Sequence, residues 1–93
     1  MDNLSVTERG DRFWYNEQNQ LHREDGPAME LMNGDKEWFI NGKHHREDGG
    51  PTVEYANGGK IWHKHGKYHR EDGPAVDLTD SRRFWYRDGV KEE

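Results

Sequence analysis

His22-Arg23-Glu24-Asp25-Gly26 returns as His45-Arg46-Glu47-Asp48-Gly49 and again as His69-Arg70-Glu71-Asp72-Gly73. A proline follows each copy, Pro27 and Pro74 at once and Pro51 after one extra glycine. Trp38, Trp62 and Trp85 each come eleven residues after one of these prolines, and Trp14 opens the series. A fixed spacing of 23–24 residues marks a repeat architecture, in which no unit can bury a core alone and each stacks on its neighbours. Residues that recur in every copy are therefore expected to serve the repeat, whereas a catalytic site needs one convergent pocket.

Within one copy, Asn33-Gly34 and Asn41-Gly42 flank the segment Asp35–Ile40. Asn-Gly tolerates positive φ at both central positions of a tight hairpin turn. Asn57-Gly58, His65-Gly66, Asp80-Ser81 and Asp88-Gly89 take the same places in other copies. The expected fold is all-β: a single-layer, curved antiparallel meander of stacked β-hairpin repeats, with no helix. The domain plan is a half-repeat over 1–10, repeats over 11–34, 35–58 and 59–81, and a C-terminal half-repeat over 82–93.

Two-residue turns would set the register. Counted from Asn33-Gly34 and its equivalents, Trp38 faces Met29, Trp62 faces Val53 and Trp85 faces Val76. Counted from Asn41-Gly42 and His65-Gly66, Trp38 faces His45 and Trp62 faces His69. The same count puts Lys36 opposite Glu47 and Lys60 opposite Glu71 as ion pairs. The other face carries Tyr15, Phe39, His63 and Tyr86 as one column and the small residues Ala28, Thr52 and Ala75 as the next. Arg23, Arg46 and Arg70 share that face with Glu30, Glu54 and Asp77. Asp-Gly-Pro should bend the chain at each copy, differently at Gly49-Gly50, because proline lacks a donor and glycine permits a corner. Asn16–Gln20 replaces the tight turn in the first copy and leaves the Trp14–His22 register open.

Apolar residues make up only 29% of the chain and charged residues 35%, a balance close to that of disordered chains. The four Trp, four Tyr and three Phe instead point to a thin sheet stapled by aromatic rings. The formal net charge of −5, with both signs interleaved, gives no basic footprint for nucleic acid. Without cysteine there is no disulfide framework or thiolate metal site, which suits a cytoplasmic protein. Residues 1–10 do not read as a secretory signal, and no apolar run is long enough to span a bilayer as a helix.

The frame W-x-x-N-G-K-x-H-R-E-D-G-P-A-x-x-x-x-N-G-x-K-x-W, carried by residues 11–89, resembles the MORN-type repeats, above all the divergent variety of phage, bacterial and giant-virus proteins. It departs from the usual glycine–tyrosine spacing of those repeats. The resemblance implies hairpins stacked into an elongated sheet and a scaffolding or interaction role. By analogy it also implies a small phage or viral accessory protein acting in the host cytoplasm.

The functional expectation is non-enzymatic binding of a host protein, by inhibition or sequestration, in the setting of antiviral defence. Contact residues are expected at Tyr15, Phe39, His63, Tyr68 and Tyr86, with Arg46 and Arg70. Trp14, Trp38, Trp62 and Trp85 and the histidines His22, His45 and His69 are assigned to architecture. An uncovered sheet face or edge also predicts a homodimer. No metal site or cofactor is expected, since His44 and His45 point apart on a strand and His63 with His65 supplies only two ligands. Two alternatives stand beside this reading: a nucleic-acid-binding or nucleic-acid-mimicking protein, and a small hydrolase using the repeat His, Asp and Glu.

Overall fold

The computed structural model describes residues 3–92. Met1, Asp2 and Glu93, the ends of the two half-repeats, lie outside the described residues. In chain order the strands are β1 (Asn3–Val6), β2 (Arg12–Tyr15), β3 (Met29–Glu30), β4 (Lys36–Glu37), β5 (Phe39–Ile40), β6 (Lys43–His44) and β7 (Val53–Glu54). They continue as β8 (Lys60–Ile61), β9 (His63–Lys64), β10 (Lys67–Tyr68), β11 (Val76–Asp77), β12 (Arg83–Arg87) and β13 (Val90–Glu92). Nine of them form one antiparallel sheet in the order β1-β2-β3-β4-β7-β8-β11-β12-β13. The hairpins β5-β6 and β9-β10 form two small ladders of their own. The fold is thus an open all-β hairpin meander, elongated to 41 × 26 × 17 Å.

Each interior repeat contributes two hairpins that meet at a tryptophan. Residues 36–37 pair within the main sheet, Trp38 marks the break, and residues 39–40 pair in the second hairpin. Trp62 divides residues 60–61 from 63–64 in the same way. The second hairpins close with two-residue turns in which both central residues have positive φ: Asn41 and Gly42, His65 and Gly66, Asp88 and Gly89. This is the type I′ geometry that matches strand twist. It brings Trp38 to His45 and Trp62 to His69, through His45 N–H donating to Trp38 O (3.2 Å) and His69 N–H to Trp62 O (3.1 Å).

The main-sheet hairpins are one residue out of the expected register. Met29 pairs with Glu37, Val53 with Ile61 and Val76 with Phe84, not with Trp38, Trp62 and Trp85. The cause is a three-residue loop. Leu31 N–H donates to Asp35 O and Gly34 N–H to Leu31 O, both at 2.9 Å, with only Gly34 of the Asn-Gly pair at positive φ. This is a type I turn followed by a left-handed residue. Asn33 holds it by accepting the Asp35 N–H on its side-chain oxygen (3.0 Å). Asn57 and Asp80 do the same for Gly59 and Arg82. The first copy also uses a three-residue loop, closed by Asn16 N–H on Gln20 O, and this places His22 beside Trp14.

The shifted register reorders both faces. Lys36 pairs with Glu30 and Glu54, and Lys60 with Glu54 and Asp77; neither pairs with Glu47 or Glu71 as expected. Arg12, Glu30, Lys36, Glu54, Lys60, Asp77 and Arg83 form one row of alternating sign across seven strands. The next row, pointing to the other face, is Phe13, Met29, Glu37, Val53, Ile61, Val76 and Phe84. Beside each tryptophan lies a small residue instead of a large aliphatic. Trp14, Trp38 and Trp62 donate their N–H groups to the carbonyls of Ala28, Thr52 and Ala75. Those three side chains are fully buried, and with Val53 and Phe39 they make up the thin core.

Candidate protein-binding surface

The repeated pentapeptide builds a corner, and each of its residues has a partner. In all three copies the arginine lies over the tryptophan that precedes it, with Arg23, Arg46 and Arg70 Cζ at 3.9, 4.0 and 3.7 Å from the ring centres of Trp14, Trp38 and Trp62. Nη1 donates to the carbonyl of Pro27, Pro51 or Pro74 at 3.0–3.2 Å. Nε pairs with the Asp two residues on: Asp25 at 2.9 Å, Asp48 at 2.8 Å, Asp72 at 3.2 Å. A side chain at Gly26, Gly50 or Gly73 would start 3.1, 2.8 or 2.9 Å from that guanidinium carbon, so glycine lets the backbone pass against the arginine. The guanidinium is thus held between glycine backbone and indole, an arrangement of cation–π type.

The histidine of the pentapeptide reaches across to the next repeat. His22 Nδ1 accepts the Asn41 N–H and His69 Nδ1 the Asp88 N–H, both at 2.9 Å, with His45 at 3.5 Å from the His65 nitrogen. Each turn is therefore capped by the preceding copy. The extra glycine of the middle corner shifts the contact with the arginine from the first glycine to the second: Gly49 takes positive φ and Gly50 lies against Arg46. Asp48 accepts the Gly50 N–H (3.0 Å), and this bond, reinforced by Arg46, holds its carboxyl below the usual carboxylate range.

Successive corners leave grooves between them. The larger, about 470 Å³, lies between the second and third corners; Trp62, Arg46, Arg70, His45 and His69 line it with Glu47, Glu71 and Asp72. A smaller one, about 320 Å³, lies one repeat earlier with Trp38, Arg23 and Arg46 in its lining. Of the sequence-predicted contact residues, Arg46, Arg70 and His63 come together in the larger groove. Here the two arginines belong both to the corners and to the groove wall.

Phe39, His63, Tyr68 and Tyr86 meet elsewhere, in a ladder of rings that crosses the second hairpins. Centroid distances are 4.2 Å for Phe39–His44, 4.3 Å for His44–His63, 4.8 Å for His63–Tyr68 and 4.9 Å for Tyr68–Tyr86. Phe39 is buried at one end, while Tyr68, next to last in the ladder, is exposed to solvent. Tyr15 stands apart from this ladder, bridged to Leu21. His44 was not singled out from sequence; it joins because its strand partner Phe39 places it beside His63.

His63 and His44 are set in a polar chain. His44 Nε2 lies 2.8 Å from Glu37 Oε1, and His63 Nδ1 lies 2.7 Å from the Thr52 hydroxyl, which also lies 3.2 Å from Ile61 O. Desolvation, with His44 stacked alongside, lowers the His63 pKa to about 4 although Glu37 opposes this. The sign follows: between about 4 and the ordinary 6.5 the unfolded chain holds a proton that the folded chain does not. Stability from this group is complete above pH 6.5 and lost as pH falls toward 4. For a half-buried, solvent-screened ring the loss should be about 1–2 kcal/mol. A ring-proton NMR titration should put the His63 midpoint near pH 4; a midpoint at 6.5 would remove the desolvated stack.

The Thr52–His63 contact has the atoms of a nucleophile–base pair, but the Thr52 side chain is fully buried and its hydroxyl is engaged on both sides. Among the described residues no group of three His, Asp or Glu side chains converges to hold a metal ion. One residue assigned to architecture differs from its fellows. Trp85 has no arginine stacked on it among the described residues and is 45% exposed. The signal is in the sequence: the residue eight places after Trp38 and Trp62 is arginine, and eight places after Trp85 it is Glu93. Comparison with protein-family models, curated proteins and solved structures gives no match to this chain.

Proposed function

We propose that this protein is a non-enzymatic, MORN-like repeat module that binds a segment of another protein along its corner grooves. The observation that carries the reading is the pair of serial grooves, each with a tryptophan and two repeat arginines in its lining and carboxylates at its rim. Trp and Arg are the residue types that most often dominate binding energy at protein interfaces, and here both are pre-ordered by the fold. The rim also argues against a nucleic-acid backbone as ligand: Glu24, Asp25, Glu47, Asp48, Glu71 and Asp72 are all mostly exposed along it. In the phage or virus setting that the sequence resemblance implies, the partner is a host protein, and binding inhibits or sequesters it in the cytoplasm during antiviral defence.

The test is capture of partners from host-cell lysate by the tagged chain and by a Glu47→Arg/Glu71→Arg variant. Both carboxylates are exposed rim groups, so the variant should keep its unfolding midpoint. The expected result is one stoichiometric protein, retained after nuclease treatment and weakened at least about tenfold by the rim variant. Nuclease-sensitive capture would move the reading to nucleic acid. Binding that ignores the rim variant would place the interface elsewhere on the sheet.

A further inference from the structure

The two outer strands of the main sheet differ in how they are protected. β13, Val90-Lys91-Glu92, carries charge of both signs on its edge. β1, Asn3-Leu4-Ser5-Val6, has no charge and no proline, and all four residues are exposed, Leu4 at 52% and Val6 at 55%. Natural sheets blunt free edges with lysine, proline or bulges, and β1 uses none of these.

The direction of the unused hydrogen-bonding groups on β1 follows from its turn. Thr7 N–H donates to Asp11 O at 2.9 Å, so Thr7 and Asp11 form a hydrogen-bonded pair. In an antiparallel ladder such pairs alternate with non-bonded ones. Ser5–Phe13 and Asn3–Tyr15 are then bonded pairs, and Leu4–Trp14 and Val6–Arg12 are not. Trp14 agrees, since its N–H donates to Ala28 O on the far side. The N–H and C=O groups of Leu4 and Val6 therefore project from the free edge.

We propose that β1 pairs antiparallel with β1 of a second copy of this chain. One two-fold register satisfies the strand. Placing Ser5 opposite Ser5 of the partner subunit sets Leu4 against Val6 of the partner subunit, and Val6 against Leu4 of the partner subunit. Those are the residues with free backbone groups, so both hydrogen-bonded pairs fall where donors and acceptors are unspent. The four aliphatic side chains share one face and cover each other, which a strand of period two allows only when Leu4 and Val6 meet in this register. Self-complementarity of this kind is what an isologous two-fold interface requires. The interface is small, so the dimer should dissociate measurably on dilution.

Sedimentation of the whole chain over a range of concentrations, with amide exchange read residue by residue, tests this. The expected result is a reversible dimer in which the Leu4 and Val6 amides are protected at high concentration and exchange freely on dilution. Val6→Pro removes an outward N–H at an edge position, where proline is tolerated, and should weaken association at least about tenfold with the monomer still folded. Leu4→Lys should do the same by placing charge on the edge, independently of any effect of proline on β1. A chain that stays monomeric at every concentration would overturn the proposal. So would a dimer that survives both variants, since its contact would lie on β13 or a sheet face.

Discussion

Trp62→Ala should lower the free energy of unfolding by about 3 kcal/mol, read by urea denaturation. Trp62 joins three parts of the fold, one of them through its ring and two through its backbone. Arg70 stacks on it at 3.7 Å, its backbone carbonyl accepts the His69 N–H, and its N–H donates to Ala75 O at 2.7 Å. Alanine keeps the backbone bonds and removes the indole beneath Arg70, in a protein with few fully buried side chains. With so thin a core, there is little else to close the gap. A loss under about 0.5 kcal/mol would show that the indole lies on the surface as an ornament of the groove.

Arg70→Ala should cost about 2 kcal/mol, and Arg70→Lys should recover less than half of it. The guanidinium does three things at once: it covers Trp62, donates to Pro74 O at 3.1 Å and pairs with Asp72 at 3.2 Å. Asp72 is highly exposed, so that pair contributes least. The stack and the bond to the proline carbonyl need a planar fork, which an ammonium group lacks. If Arg70 served only as a contact for a partner, both variants would unfold with the wild-type midpoint. Full rescue by lysine would leave charge alone as its role.

Much of this architecture is legible in the sequence, and the part that is not has a definable cause. The period, the antiparallel meander and the type I′ hairpins follow from spacing and turn residues; Trp38–His45 and Trp62–His69 are paired as the count from Asn41-Gly42 and His65-Gly66 requires. The count from Asn33-Gly34 fails by one residue because Asn-Gly fits two turn types. At Asn41 the backbone N–H is taken by His22 of the preceding repeat, and the turn closes in two residues. At Asn33 the side chain binds the Asp35 N–H, and the turn closes in three. That choice rests on contacts between repeats, which a reading of one hairpin does not contain. Lys36 and Lys60 miss Glu47 and Glu71 for a different reason: the second hairpins stop at Trp38 and Trp62, and the residues before them pair in the main sheet with Glu30, Glu54 and Asp77.

The groove was partly visible for a related reason. Arg46, Arg70 and His63 read as one mixed face and do share a groove; the sequence also shows the Asp-Gly-Pro corner, but not that the corner sets each arginine on the preceding tryptophan. It depends on Gly50 and Gly73 lying within 3 Å of a guanidinium carbon for a side chain they do not have. Glycine after Asp reads from sequence as a bend. Its second role, close passage of backbone against Arg, appears only when the chain has turned back on the tryptophan.

The central claim is that the repeated pentapeptide exists to lay an arginine on the preceding tryptophan. A double-mutant cycle between Trp62 and Arg70, with unfolding free energies for Trp62→Ala, Arg70→Ala and the pair, tests it most directly. The account predicts a coupling of about 1 kcal/mol or more, with the double variant clearly less destabilised than the sum of the singles. Additive losses would contradict it, and would leave the three stacked pairs as neighbours that do not hold each other.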